Sequence, residues 1–411
     1  MARWGRPGSA GEQATPARSG VADALSRHPV VGVAGAVVGL VAATTAVGVT
    51  VARIATRRVR ADRLSPAGAL PEGASDADLR EDDPLGAAAR RADRTALVQA
   101  DDGVLLAVEE IGPLDAPLTV VFVHGYTLSM ASWTYQRRSL AATLATANGH
   151  RPDARLVFYD QRGHGSSSRG PAEHSTVEQL AHDLASVLAA RAPSGPVVLI
   201  GHSMGGMTIM GLAEVAPELF GPKVVGVALV STSSGNLADL DFGMPEFLTR
   251  VRAAVLPFAA YTMRRRPAFA ERTRKLVAEV VSAITRSLSF ASADVDPRLG
   301  RYVDAMIAGT PVDVIAEFYP ALTGLDETGA LAPLARVPVL VLTGDQDKMI
   351  PKAHSDLLVE HLGGVGEGRV EYVVVPEAGH LVTLEKPDEV TRALTGLLRR
   401  VAAETAGRPQ D

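Results

Sequence analysis

The sequence contains no cysteine among its 411 residues. This absence excludes disulfide bonds, thiolate metal sites and a cysteine nucleophile. It does not decide the compartment, because exported and cytosolic proteins can both lack cysteine. An excess of one charge is also missing, since the formal net charge is -5 and the isoelectric point is about 6.1. A chain with this charge lacks the basic footprint of nucleic-acid-binding proteins, and we expect no nucleic-acid partner.

Three cofactor motifs are also missing. The chain has no H-E-x-x-H for zinc, no G-x-x-x-x-G-K-[ST] for a nucleotide phosphate and no G-x-G-x-x-G after a predicted strand. Four histidines lie on predicted helical or loop segments without metal-ligand spacing: His174, His182, His354 and His361. We therefore expect neither a metal nor a cofactor.

The amino-terminal residues change character abruptly. Residues 1–29 are rich in Arg, Gly, Ser and Pro, which predicts a disordered arm. Residues 30–52 contain no charged side chain. As a helix they would extend about 34 Å, which is enough to cross a bilayer, and they predict a transmembrane helix. A signal peptide and a buried soluble helix are the alternatives, which the length of the run and the arginines after it disfavour.

Charged residues around the apolar run predict its orientation. Five arginines lie just after it: Arg53, Arg57, Arg58, Arg60 and Arg63. Only Arg18 and Arg27 lie comparably near its start, so we expect a single-pass membrane protein whose folded domain faces the cytoplasm. Gly35 and Gly39 form a G-x-x-x-G pattern that would support self-association, although small residues are common throughout this segment. Residues 53–94 combine the basic flank with a Pro- and Gly-containing linker.

Residues 95–402 alternate short apolar runs with helical stretches, which predicts an α/β domain. Residues 95–99 and 104–111 predict a hairpin around Asp102 and Gly103. Six further runs are continuously apolar, as in strands buried on both faces of a mostly parallel central sheet flanked by helices: 118–125, 154–160, 196–203, 223–231, 337–345 and 369–376. Ser175 and Glu178 predict a capping box for the helix at 175–191.

One interval breaks this alternation. Residues 236–330 contain no clear strand and several helical stretches, which predicts a helical cap over the sheet. Large apolar side chains in it suggest a lipophilic substrate, although packing of the cap would explain most of them: Phe247, Leu248, Val255, Leu256, Phe258 and Tyr261. Residues 403–411 predict a flexible tail.

The stretch "VVLIGHSMGGMTIM" runs from a strand directly into a helix. Such a turn strains the backbone of Ser203 and is tolerated only when the neighbours are very small, as Gly201 and Gly205 are. The geometry predicts that the serine is held out at the carboxyl edge of the sheet, where ligands bind in open α/β folds. We interpret this stretch as a nucleophile elbow.

A serine hydroxyl needs a base to become a nucleophile, and the base needs an acid to orient it. His380 follows the last predicted strand, and Asp347 follows the strand before it. The chain order of serine, acid and histidine is that of α/β-hydrolases. Asp345 is the nearest alternative acid, and Asp239 and Asp241 are more distant ones.

At these residues the chain resembles the α/β-hydrolase superfamily in its serine-nucleophile branch. The matching segments are "HGY", "YDQRGHGSS", "GHSMGG", "GDQDKMIP" and "GHLVTLEKP", in that order between residues 124 and 387. The resemblance implies a catalytic triad of Ser203, Asp347 and His380. It also implies an oxyanion hole built from the backbone N–H groups of Tyr126 and Met204.

The resemblance implies hydrolysis of a carboxylic ester through an acyl-enzyme intermediate. "GHSMGG" is similar to the motif of monoacylglycerol lipases and short-chain esterases, so a lipophilic or acylglycerol-type ester is the expected substrate. Haloperoxidase-like perhydrolases and C–C bond hydrolases share the motif and stay open as alternatives. An aminopeptidase is disfavoured because Met204 stands where such relatives usually carry tryptophan. A non-enzymatic binding protein is disfavoured because all three triad positions are filled.

Overall fold

We describe the fold from a computed structural model of the chain. The structure describes residues 83–86, 91–146, 154–237, 286–292, 294–364 and 369–406. The predicted arm, the predicted transmembrane helix at 30–52 and most of the linker lie outside these residues. Within them, no helix combines the length and the apolar character needed to cross a membrane. The membrane span therefore stays a prediction.

The centre of the domain is one eight-stranded sheet. Its strands are β1 (Arg94–Gln99), β2 (Leu105–Ile111), β3 (Leu118–Val123), β4 (Ala154–Tyr159), β5 (Val197–His202), β6 (Val224–Val230), β7 (Val339–Gly344) and β8 (Val370–Val375). They lie in the order β1-β2-β4-β3-β5-β6-β7-β8. Strand β2 is antiparallel to both its neighbours, and every other neighbouring pair is parallel. The predicted mostly parallel sheet is confirmed.

Helices cover the sheet on both faces. In the described part of the chain they are α1 (Thr134–Thr146), α2 (Val177–Arg191), α3 (Met204–Val215), α4 (Pro297–Gly309), α5 (Val312–Thr323), α6 (Leu331–Leu334), α7 (Lys352–His361), α8 (Val382–Glu385) and α9 (Pro387–Ala406). Short 3-10 turns span Met130–Trp133, Ala172–His174, Pro217–Leu219 and Thr328–Ala330. Helices α2 and α3 share one core with the sheet, and α1 and α9 share the other.

The inner strands have apolar side chains on both faces because both faces are covered. In β3, Val121 and Val123 lie in the core beside α2 and α3, whereas Val120 and Phe122 lie in the core beside α1 and α9. Side chains alternate between the faces of a strand, so a continuous apolar run fills both cores. This explains why the sequence of these strands lacks a polar alternation.

The hairpin of β1 and β2 closes as the sequence indicates. The Gly103 N–H donates to the Ala100 carbonyl over 3.0 Å, and Gly103 has a φ of +90°. A positive φ of this kind is accessible to glycine without steric cost. The turn at Asp102 and Gly103 is therefore confirmed.

Two predicted boundaries are wrong. Thr176, not Ser175, caps α2, because its side chain accepts from the Gln179 N–H while the Ser175 N–H closes the preceding 3-10 turn. Helix α9 continues to Ala406, although residues 403–406 were assigned to a flexible tail. Val401, at 1% exposure, packs against the sheet and keeps the last turns of α9 attached to it.

The predicted cap at 236–330 is described only in part. Residues 238–285 and residue 293 lie outside the described residues, as do all six apolar side chains singled out in the sequence. The described part contributes α4 and α5. Phe290 and four residues of α4 form a third apolar cluster with Leu128, Leu381 and Leu384. This cluster packs the described part of the cap region onto loops at the carboxyl edge of the sheet, while the outer limits of the cap stay a prediction.

Candidate active site

Ser203 lies at the turn between β5 and α3, with a φ of 54° and a ψ of −120°. A side chain at this positive φ is strained, so the surrounding structure must hold it. A Cβ on Gly201 would lie 2.5 Å from the Gly205 backbone, and one on Gly205 would overlap the Val123 carbonyl. The two glycines therefore let the strand and the helix approach closely enough to form this turn.

Ser203, His380 and Asp347 form one continuous chain of hydrogen bonds. His380 Nε2 lies 2.9 Å from Ser203 Oγ, and His380 Nδ1 lies 2.9 Å from Asp347 Oδ2. A carboxylate only accepts, so Nδ1 carries the proton and Nε2 is left to accept the serine hydroxyl. All three residues are buried. The arrangement can transfer a proton from the hydroxyl to the imidazole.

The acid is held by its own loop. Asp347 Oδ1 accepts from the N–H groups of Met349 and Ile350, each over 2.9 Å, which leaves Oδ2 for the histidine. Asp345, the nearest alternative, is exposed and is not the carboxylate that bonds His380. Asp239 and Asp241 lie outside the described residues.

The loop after β3 presents the Tyr126 N–H, the first donor of the predicted oxyanion hole. The Gly125 carbonyl, in the same peptide group, accepts from His124 Nδ1 over 2.8 Å and from the Leu128 N–H over 3.2 Å. These two bonds fix the peptide plane and hence the direction of the N–H. Thr127 follows at a φ of 60°, which is strained for a β-branched residue.

Met204 supplies the second predicted donor at the first position of α3. The first N–H groups of a helix have no partner within it. Among the described residues, neither the Met204 N–H nor the Tyr126 N–H donates a hydrogen bond. Both residues line the same cavity as Ser203, so the two N–H groups are available to a bound molecule.

Three buried histidines surround these groups. Burial lowers the pKa of His124 to about 4, that of His164 to about 3 and that of His202 to about 3. Each is therefore neutral at neutral pH, and each bonds backbone. His202 Nε2 donates to the His380 carbonyl over 2.9 Å, and His164 Nδ1 donates to the Arg162 carbonyl over 2.9 Å. Their contacts shape the loops around the site.

A cavity of about 200 Å³ opens onto Ser203. Most of the surface that lines it is apolar. The lining residues are Tyr126, Thr127, Leu128, His202, Ser203, Met204, Met207, Leu237, Ser289, Val303, Ile307, Tyr319, Leu322, Thr323, Met349, Ile350, His380 and Leu381. Helices α4 and α5 contribute five of these side chains, which sequence reasoning did not select. Their spacing, at 303 and 307 and at 319, 322 and 323, places them on one face of each helix, but spacing alone does not state what that face lines.

One group of acidic side chains in the described part of the chain could share a cation. Ligand oxygens of Asp101, Asp102 and Asp183 lie within 4.8 Å of one another. Arg162 donates to Asp102 over 2.8 Å and to Asp183 over 2.6 Å. Hydrogen bonds from Arg162 also hold the pKa of Asp102 well below its usual range. Asp102 and Asp183 therefore form an ion-pair network with Arg162, while Asp101 accepts from the Gln179 side chain.

Known proteins resemble this chain over most of the domain. It is 26% identical over 286 residues to the sn-1-specific diacylglycerol lipase ABHD11 of Mus musculus, covering 69% of this chain and 82% of the lipase. It is 27% identical over 247 residues to 3-oxoadipate enol-lactonase 2 of Acinetobacter baylyi, covering 60% of this chain and 79% of the lactonase. A thermophilic esterase from Thermogutta terrifontis superimposes with a TM-score of 0.57 at 25% identity, covering 75% of this chain and 99% of the esterase.

The model of the alpha/beta hydrolase family matches residues 120–393, which is most of the chain. This range includes Ser203, Asp347 and His380 and all the parallel strands except the first two residues of β3. The protein belongs to the alpha/beta hydrolase family.

Proposed function

We propose that this protein is a serine hydrolase that cleaves neutral carboxylic esters through an acyl-enzyme intermediate. The observation that carries the proposal is the chain of two 2.9 Å hydrogen bonds from Ser203 through His380 to Asp347. This order of hydroxyl, imidazole and carboxylate is the one that activates a serine for attack on a carbonyl. The lipase and the esterase that resemble the chain support the same reaction.

The reaction follows from the geometry. Ser203 Oγ attacks the ester carbonyl while His380 Nε2 takes its proton, and Asp347 stabilises the resulting imidazolium. The N–H groups of Tyr126 and Met204 donate to the oxyanion, a contribution of about 2.7–4 kcal/mol for each donor. His380 then protonates the leaving alcohol. Water attacks the acyl-enzyme with His380 again as the base, which releases the acid and restores the serine.

The cavity supports a neutral acyl group of limited length. None of its described lining residues is arginine or lysine, so they offer no cation to a substrate carboxylate. The lactone named for the Acinetobacter baylyi relative derives from a dicarboxylic acid, which such a lining would bind poorly. A volume of about 200 Å³ is below the roughly 300–1,000 Å³ of sites that hold drug-sized ligands. We infer that the acyl chain is of short to medium length, about four to eight carbons.

Active-site labelling tests the reaction class. A fluorophosphonate probe should label the full-length chain and should not label the Ser203→Ala variant. Ser168→Ala removes an exposed serine outside the cavity and should be labelled like the wild type. Equal labelling of wild type and Ser203→Ala, or no labelling of either, would contradict the proposal.

A series of p-nitrophenyl esters tests the substrate class. kcat/KM should peak between about butyrate and octanoate and fall for palmitate. Leu322→Phe, in the cavity, should shift the peak to shorter chains, whereas Leu357→Phe, at a half-exposed position on α7, should not. A peak at acetate in the wild type, or at palmitate, would contradict the proposed acyl length.

We also infer from the sequence that residues 30–52 attach the enzyme to a membrane with its domain in the cytoplasm. An uncharged run of this length and the arginines after it support the inference. Protease added to sealed cells should leave the domain intact and should digest it after lysis. Digestion in sealed cells would contradict the orientation, and recovery of the full chain in the supernatant after lysis would contradict the attachment.

A further inference from the structure

Residues Ser289–Ala291, which we call the strap, lie between the undescribed part of the cap and α4. Ser289 lines the cavity, and Phe290 is 2% exposed in the cluster that packs the described cap region onto the site loops. The strap is therefore fixed to the molecule by a buried aromatic side chain. Its backbone faces the loop that carries His380.

The strap contacts the residues on both sides of His380. The Leu381 N–H donates to the Ser289 carbonyl over 2.9 Å. A Cβ on Gly379 would lie 2.5 Å from the Ala291 nitrogen and 2.6 Å from the Phe290 carbonyl carbon. The strap backbone therefore packs directly against Gly379, where only a residue without a side chain fits.

Glu385 connects the two segments from the other side. Its Oε1 accepts from the Ala291 N–H over 2.8 Å, and its Oε2 accepts from the Gly379 N–H. One carboxylate thus bridges the strap and the residue just before His380. Hydrogen bonds between a charged acceptor and backbone N–H groups are among the stronger ones in proteins. Since the side chain is partly buried, it meets little competition from water.

The strap also reaches the loop that carries Asp347. Lys348 Nζ donates to the Ala291 carbonyl over 3.2 Å, and Ser289 Oγ lies 3.5 Å from Met349 Sδ. The base and the acid of the proposed triad therefore sit on two loops that share one support. A shift of the strap would move these loops relative to each other.

We propose that Glu385 is a positioning residue that sets the orientation of His380 through the strap and Gly379. The inference rests on the proposed serine hydrolase function. Glu385 does not contact Ser203, so it acts on the rate only through the placement of the imidazole. Misplacement of a catalytic group by about 1 Å can lower a rate about a hundredfold.

The test compares Glu385→Gln and Glu385→Ala in the full-length chain. Glutamine keeps one acceptor but turns an NH₂ group toward one of the two N–H donors, and alanine removes both acceptors. We expect kcat for a p-nitrophenyl ester to fall about tenfold for Glu385→Gln and about a hundredfold for Glu385→Ala, with KM unchanged. The rate of fluorophosphonate labelling should fall by the same factors, since labelling also requires the base.

Two measurements separate positioning from loss of structure. Glu377 lies on the loop that carries His380, and its side chain is 90% exposed. Glu377→Gln should therefore keep the wild-type rates. All rates are measured below the unfolding temperature of each variant. In proton NMR spectra, the low-field resonance of the hydrogen bond between His380 and Asp347 should shift or broaden in both Glu385 variants. A loss that only tracks the unfolded fraction, or that appears only in KM, overturns the inference.

The outcomes also separate the inference from the proposed function. A wild type that is not labelled overturns the proposed function and the inference with it. A wild type that is labelled at Ser203, together with a Glu385→Gln variant that is labelled at the same rate, overturns the inference alone.

Discussion

The His202 imidazole donates a hydrogen bond to the backbone carbonyl of His380 over 2.9 Å. His202 directly precedes the proposed nucleophile, Ser203. This bond therefore connects the nucleophile's neighbour to the backbone of the proposed base. Both residues are buried, so the carbonyl has no access to bulk water if the donor is removed.

His202→Ala should lower the free energy of unfolding by about 1–3 kcal/mol because it leaves this carbonyl unsatisfied, in addition to the cost of the cavity. His202→Gln offers an amide N–H and should lose less. Urea unfolding measures both. Burial lowers the pKa of His202 to about 3 in the folded protein, so the wild type loses stability as the pH falls below the ordinary value of 6.5, and both losses should be smaller at about pH 6 than at about pH 8. Equal losses for alanine and glutamine would contradict the role of the bond.

Asp347→Asn should lower kcat by up to about 10⁴-fold, because an amide no longer enforces the histidine tautomer that serine activation requires. Asp345→Asn, two residues away and exposed, is the matched control and should change kcat little. Steady-state kinetics on one p-nitrophenyl ester compares the two. A larger loss in the Asp345 variant would move the acid to that residue.

Gly205→Ala should destabilise the fold by more than about 3 kcal/mol, because its Cβ would overlap backbone atoms that cannot move aside. Gly396 lies within α9 with no atom near the position of a Cβ. Gly396→Ala should therefore stabilise the protein by up to about 1 kcal/mol through helix propensity. Urea unfolding of both variants checks the contrast, and a Gly205→Ala variant of wild-type stability would refute the steric reading of the turn.

Glu327 gives stability a dependence on alkaline pH. Burial, followed by the nearby Glu214 carboxylate, raises the pKa of Glu327 to about 8. Because the pKa of Glu327 is higher in the folded protein than the unfolded value of 4.5, its protonated form contributes stability that is fully present below about pH 4.5. This contribution is lost as the pH rises toward 8. Glu327→Gln cannot ionise, so its unfolding temperature should fall less than that of the wild type between about pH 5 and 9.

Thermal unfolding at several pH values measures this difference. Each unit of pKa shift corresponds to about 1.4 kcal/mol in the free energy of unfolding. Glu360→Gln, which removes an exposed carboxylate, should follow the wild type at every pH. If Glu327→Gln also follows the wild type, Glu327 does not titrate differently in the folded protein.

The sequence predicted the parts of the site that local spacing encodes. Ser203 follows a buried strand and sits between two glycines, so its turn was predictable from the size of its neighbours. His380 and Asp347 follow successive strands of a parallel sheet, and the carboxyl ends of such strands share an edge. The existence and type of each of these elements therefore followed from apolar runs and small residues.

Long-range contacts were not predictable in this way. Glu385 lies on a short helix, and nothing in its local pattern reveals that its partner is Ala291, 94 residues away. The cavity lining from α4 and α5 was missed for a similar reason, since the apolar face of a helix does not state what it faces. The cap of α2 shifted by one residue because Ser175 and Thr176 are both good capping residues and the preceding turn decides between them.

Ser203 and His380 are 177 positions apart along the chain. At about 5–20 residues per second, a ribosome needs roughly 9 to 35 seconds to synthesise that interval. During this time the emerging polypeptide carries the Ser203 hydroxyl without the His380 imidazole, so the proposed triad cannot form until residue 380 has been synthesised. A translation product that stops within the interval lacks the proposed base by the same logic, and we expect no fluorophosphonate labelling of it.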